Sequence, residues 1–100
     1  MADTHADPER IHTRGDLARE LTILRSESGL TVRDLANQVG APVATLGDYF
    51  AGRHLPGSRR TPLYRAVLNV CGVTDPAIVE RWIAALTRIR PLSGGRARTS

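Results

Sequence analysis

Apolar residues recur at helical spacing through the middle of the chain, and no segment alternates with a period of two. Leu17, Leu21, Leu24 and Ser28 share one face, with Asp16 as an N-cap and Gly29 just past the end, which predicts a first helix over about 16–28. Thr31, with Asp34 in the capping-box position, opens a second helix of two turns; its apolar side is Leu35, Ala36 and Val39, and Gly40 ends it. Pro42 suits the first turn of a third helix, with Val43, Leu46 and Phe50 on one side and Gly52 as its stop. Thr61 and Pro62 start a fourth, with Leu63, Val67 and Val70 inward and Gly72 beyond. Thr74 and Pro76 start a fifth, striped by Ile78, Trp82, Leu86 and Ile89, and ending in Arg88 and Arg90, where the helix dipole favours cations. The segment 53–60 between the third and fourth reads as an irregular basic loop. Five short helices with short connections make an all-α domain.

The 100 residues allow one small domain. Residues 15–90 carry the helical pattern. Residues 1–14 are polar, contain Pro8 and show no periodicity, so they read as a disordered N-terminal arm. Residues 91–100, PLSGGRARTS, read as a flexible tail or linker. Only Tyr49, Phe50, Tyr64 and Trp82 are aromatic, so the core must rest on Leu, Val, Ile and Ala. No apolar run approaches the roughly 18–20 residues that span a bilayer, and the N-terminus lacks the apolar stretch of a secretory signal. The expected setting is therefore cytoplasmic, with no membrane partner. Cys71 is the sole cysteine, which excludes an internal disulfide and a cysteine-based zinc site and fits a small core residue. His5, His12 and His54 are too widely spaced to form a metal set. The chain has no HExxH, phosphate loop, GxSxG or Ser-His-Asp grouping on predicted helices, so neither an enzyme nor a cofactor site is expected.

Charge sharpens the picture. All fourteen basic residues are arginine. Residues 1–50 hold five of them against eight carboxylates, whereas residues 51–100 hold nine against two. A basic half points to an anionic partner, nucleic acid ahead of a membrane surface.

The segment TVRDLANQVGAPVATLGDY, from Thr31 to Tyr49, places a small residue (Ala36), a turn glycine (Gly40) and a buried aliphatic (Leu46) where two helices must cross closely through a sharp turn. Those are the mechanics of a helix-turn-helix. With LTILRSESGLTVRDLANQVG, then TLGDYFAGRHLP, then VLNVCGVTD and Trp82 downstream, the chain resembles the Cro/C1-type (XRE) helix-turn-helix proteins of the actinobacterial branch over about 17–88. The resemblance implies a compact, five-helix, lambda-repressor-like bundle. It also implies sequence-specific binding of double-stranded DNA by a transcriptional regulator, repressor-like and nucleoid-associated, with the third helix in the major groove.

Carried onto this chain, the base-contacting positions fall on Val43, Ala44 and Thr45, with Asp48 one turn on. Thr31 and Arg33 at the start of the second helix, and Arg53, Arg59 and Arg60 in the loop after the third, are the implied phosphate contacts. The third helix offers only Thr45 and Asp48 as polar reach, a thin hydrogen-bonded code. An alternative therefore stands beside DNA binding. In it, the same fold serves as a protein-interaction module, as the N-terminal part of a larger signalling protein or as an antitoxin. Val79 and Ile83 widen the apolar arc of the fifth helix, so Val79, Ile83 and Leu86 are the candidate surface of a homodimer on DNA.

Overall fold

The computed structural model describes residues 5–90. Five helices build it: α1 Arg14–Ser28, α2 Val32–Val39, α3 Val43–Ala51, α4 Thr61–Val70 and α5 Pro76–Ile89. Short 3-10 turns at Pro8–Arg10 and Ser58–Arg60 precede α1 and α4, and no strand occurs among the described residues. The predicted all-α five-helix order is the observed one. α3 packs against both α1 and α2, α2 also packs on α4, and α5 closes on α4 and on the first 3-10 turn. The expected tail at 91–100 lies outside the described residues, as do residues 1–4.

Local chemistry sets the helix starts. At α2 the Thr31 hydroxyl accepts from the Asp34 N–H and the Asp34 carboxylate accepts from the Thr31 N–H, both at 3.0 Å. At α1 the same box is built by Thr13 and Asp16, at 3.0 and 3.1 Å. Asp16 is thus the third residue of that box and not the N-cap, and the helix begins earlier than its apolar stripe predicts. α5 is capped by Asp75, which accepts from the Ala77 N–H at 3.0 Å, in place of Thr74.

The core faces of two helices are rotated from the predicted stripes. α4 buries Tyr64, Val67 and Leu68, while Leu63 and Val70 sit half-buried at the margin. α5 buries Val79, Trp82, Ala85 and Leu86, and leaves Ile78 exposed in its first turn. The Tyr64 hydroxyl donates to the Trp82 carbonyl at 2.8 Å, locking the two faces together. Burial pushes that hydroxyl's pKa far up, so it stays a donor. This corrects the expected homodimer surface. Val79 and Leu86 belong to the domain's own core, and of that trio only Ile83 reaches even partial exposure.

The largest departure is at the N-terminus. From residue 5 onward the expected disordered arm is a strap laid across the bundle. Ile11, the lone large aliphatic between Met1 and Arg14, is fully buried in the main core. Glu20 of α1, only 1% exposed, receives the strap: its carboxylate accepts from the Asp7 N–H at 3.0 Å and from the Arg10 guanidinium at 3.2 Å. Arg19 adds a third donor at 3.3 Å. Arg88 of α5 donates to the carbonyls of Ile11 at 2.6 Å and Pro8 at 3.2 Å. One apolar anchor and two charge-assisted clamps order a segment whose sequence shows no periodicity.

Both anchors are testable by urea denaturation. Ile11→Ala should cost about 2–5 kcal/mol, the range for emptying a buried aliphatic site. Glu20→Ala should cost about 1–3 kcal/mol, through loss of its charge-assisted hydrogen bonds. Losses below about 0.5 kcal/mol in both would mean the strap is not part of the folded unit.

Candidate nucleic-acid interface

The turn between α2 and α3 fixes the geometry of this region. Gly40 adopts φ 70°, a left-handed conformation that favours glycine. The N–H groups of Gly40 and Ala41 both return to the Ala36 carbonyl, the latter at 3.0 Å. Ala36 and Leu46 are both buried, so a small side chain and a branched aliphatic fill the space between the two helices. Pro42, with φ −63° and an extended ψ, then launches α3. At its other end α3 is held against α1. A Cβ added at Gly52 would lie 3.4 Å from the Ala18 Cβ and 3.7 Å from the Arg14 carbonyl oxygen. Arg25 joins three elements: it donates to the Leu30 carbonyl at 2.8 Å and stacks its guanidinium 5.5 Å from the centre of the Phe50 ring.

With Leu46 and Tyr49 turned inward, α3 shows its opposite side to solvent. Val43 and Ala44 are exposed there, and Thr45 is half-buried. Asp48 is bound at its side. Its Oδ1 accepts from the Arg53 Nε at 2.9 Å, and its Oδ2 lies 3.0 Å from the His54 Nδ1. Its main-chain carbonyl also accepts from the Arg53 N–H at 3.0 Å. One residue of α3 therefore holds the start of the basic loop. Thr45, Asp48 and Tyr49 from α3 face His54, Leu55, Gly57 and Arg60 from that loop across a cleft of about 300 Å³. Arg90 at the end of α5 steadies the loop by donating to the Pro56 carbonyl at 3.2 Å.

The other expected residues are distributed as follows. Arg53, Arg59 and Arg60 are all exposed; Arg59 and Arg60 lie on the 3-10 turn that leads into α4. Thr31 and Arg33 are exposed at the start of α2, outside the cleft. The Thr31 hydroxyl accepts within its capping box, which leaves its proton for an outside acceptor. Arg90 was not among the expected site residues, and His54 was expected in the basic loop but not as a partner of Asp48. The signal for His54 was present, since it follows the stop glycine Gly52 by two positions and Asp48 precedes that glycine by one turn. Cys71 is buried in the core, and burial pushes its thiol up. No group of three or more metal-ligating side chains occurs among the described residues. No helix among them is long and apolar enough to cross a membrane.

The Arg53 hydrogen bond first, and the His54 bond second, hold the Asp48 carboxyl below the ordinary carboxylate range. A carboxyl whose folded pKa lies below its unfolded value of about 3.9 stabilises fully above that value and loses its contribution as pH falls through the lower folded one. A carbon-detected NMR titration should therefore place Asp48 below a typical aspartate. Arg53→Ala should move its midpoint up toward about 3.9; no movement would remove Arg53 as the cause.

The comparisons with known proteins agree with this geometry. A family model described as a helix-turn-helix domain matches residues 16–82, about two-thirds of the chain, from the first turn of α1 to the middle of α5. No curated protein and no solved structure matches the chain. The match covers every element that builds the α2–turn–α3 unit, in keeping with the Cro/C1-type resemblance. The chain belongs to the helix-turn-helix domain family.

Proposed function

We propose that this domain binds double-stranded DNA sequence-specifically, with α3 in the major groove, and acts as a repressor-like transcriptional regulator associated with the nucleoid. One observation carries the reading: the solvent side of α3 is bordered by an ordered loop that presents Arg53, Arg59 and Arg60 to the outside. A helix of nine residues beside exposed cations suits a groove walled by phosphates. In this reading Val43, Ala44 and Thr45 meet base edges, with Asp48 at the next turn. Thr31, Arg33, Arg53, Arg59 and Arg60 meet phosphates. A single module of this size has limited contact area, so binding proceeds as a homodimer on two half-sites about one DNA turn apart.

The test is selection from a pool of random duplexes at two salt concentrations, followed by affinity measurements. An enriched palindromic motif is the expected result. With Arg33, Arg53, Arg59 and Arg60 on each protomer, and so about eight phosphate contacts in the dimer, affinity should fall on the order of 10⁴-fold between 50 and 200 mM salt. Binding with no enriched motif would remove sequence specificity. Absence of binding at low salt would overturn the DNA reading and favour a protein partner on the same face.

The phosphate assignments make a separate prediction. Arg59→Ala and Arg60→Ala each remove one contact per protomer, so each should lower the slope of log affinity against log salt by about 2 for the dimer and weaken all sequences alike. An unchanged slope in both variants would show that those arginines do not touch the backbone.

A further inference from the structure

α3 enters the proposed groove with almost no hydrogen-bonding reach. Val43–Ala51 contains no Arg, Lys, Asn or Gln, the side chains that read guanine and adenine with two bonds at once. Tyr49 is buried, and Thr45 is half-buried at the cleft. Asp48, the remaining polar side chain, has one oxygen on Arg53 and the other on His54. What does project is apolar. Val43 is 43% exposed, one of two large hydrophobic residues that are exposed among the described residues, and Ala44 beside it is exposed as well. Gly47, one turn on, adds no bulk: a Cβ placed there would meet nothing within 4 Å.

These apolar side chains belong to the helix bordered by Arg53, Arg59 and Arg60. Their occupant must therefore combine two properties. It must be polyanionic, to match the arginines, and it must present small apolar groups between its charged walls. Duplex DNA meets both where the C5-methyl group of thymine stands in the major groove. We propose that Val43 and Ala44 read thymine C5-methyl groups, so that methyl positions, more than bidentate hydrogen bonds, specify the half-site. Asp48, with one oxygen on Arg53 and the other on His54, ties those side chains to the reading helix. This inference rests on the DNA reading above.

Its test isolates the methyl group. In the duplex recovered by selection, each thymidine is replaced in turn by deoxyuridine, which keeps base pairing and removes only the methyl. The expected result is a loss of about 3–10-fold at one or two positions in each half-site, the size of losing one or two buried methyl contacts, and almost none elsewhere. In Val43→Ala, an exposed change that leaves the core intact, one of those losses should shrink to less than about half its size. Specific binding that no single deoxyuridine changes by two-fold would overturn this inference and leave the DNA reading standing. So would a deoxyuridine penalty that Val43→Ala and Ala44→Gly both leave unaltered, or binding without any enriched motif. Failure to bind duplex at low salt would overturn both readings.

Discussion

The outward face of α3 depends on how closely α2 can approach from behind. Ala36 is small enough to bury at that approach, Gly40 turns the chain at φ 70°, and Leu46 fills the space that remains. A larger side chain at Ala36 must displace a packed helix, because protein interiors hold few voids. This one constraint orients Val43, Ala44 and Thr45 outward while Leu46 and Tyr49 face the core. The Gly52 end of α3, packed on Ala18 and Arg14 of α1, fixes the other end of the helix. The reading surface is thus supported at both ends by core packing, as a preorganised binding element requires.

Charge is arranged to complete that surface and to close the fold behind it. At the front, Asp48 tethers the loop through Arg53 and His54, while Arg90 holds the Pro56 carbonyl. Three arginines remain exposed along that loop. Elsewhere, Glu20 and Arg88 both hold the strap around Ile11. The same residue type therefore serves two purposes. Arg10 and Arg88 are spent on internal carboxylates and carbonyls, whereas Arg59 and Arg60 stay available to an outside anion. The net charge of each half of the sequence does not distinguish these uses; the partner of each guanidinium does.

Local chemistry was the legible part of the sequence. The Thr31–Asp34 capping box, the glycine ends of the first three helices and the proline near the start of α5 depend on neighbours within four residues, and they placed the helices in order. Helix rotation was less legible. Ile78 and Val79, or Leu63 and Tyr64, are adjacent apolar residues, and only packing against the rest of the domain decides which one turns inward. Tyr64 turned inward because its hydroxyl finds the Trp82 carbonyl. The strap was missed for a related reason: its contacts are to Glu20 and Arg88, 10 to 80 residues away in sequence, and no period marks them. A lone aliphatic at position 11 in a polar run was the available signal. At the site, the acid before Gly52 and the arginine and histidine after it were visible as residue types, but their pairing required the backbone to turn at that glycine.

α3 and the loop after it form the proposed surface that meets duplex DNA. Backbone amide shifts in the isotopically labelled domain, followed as selected duplex is added at low salt, test this directly. The largest changes are expected at residues 43–48 and 53–60, smaller ones at 31–33, and none of note at 22–27 or 78–83. Unmoved amides across α3 and its loop, with changes concentrated on α1 or α5 instead, would contradict it.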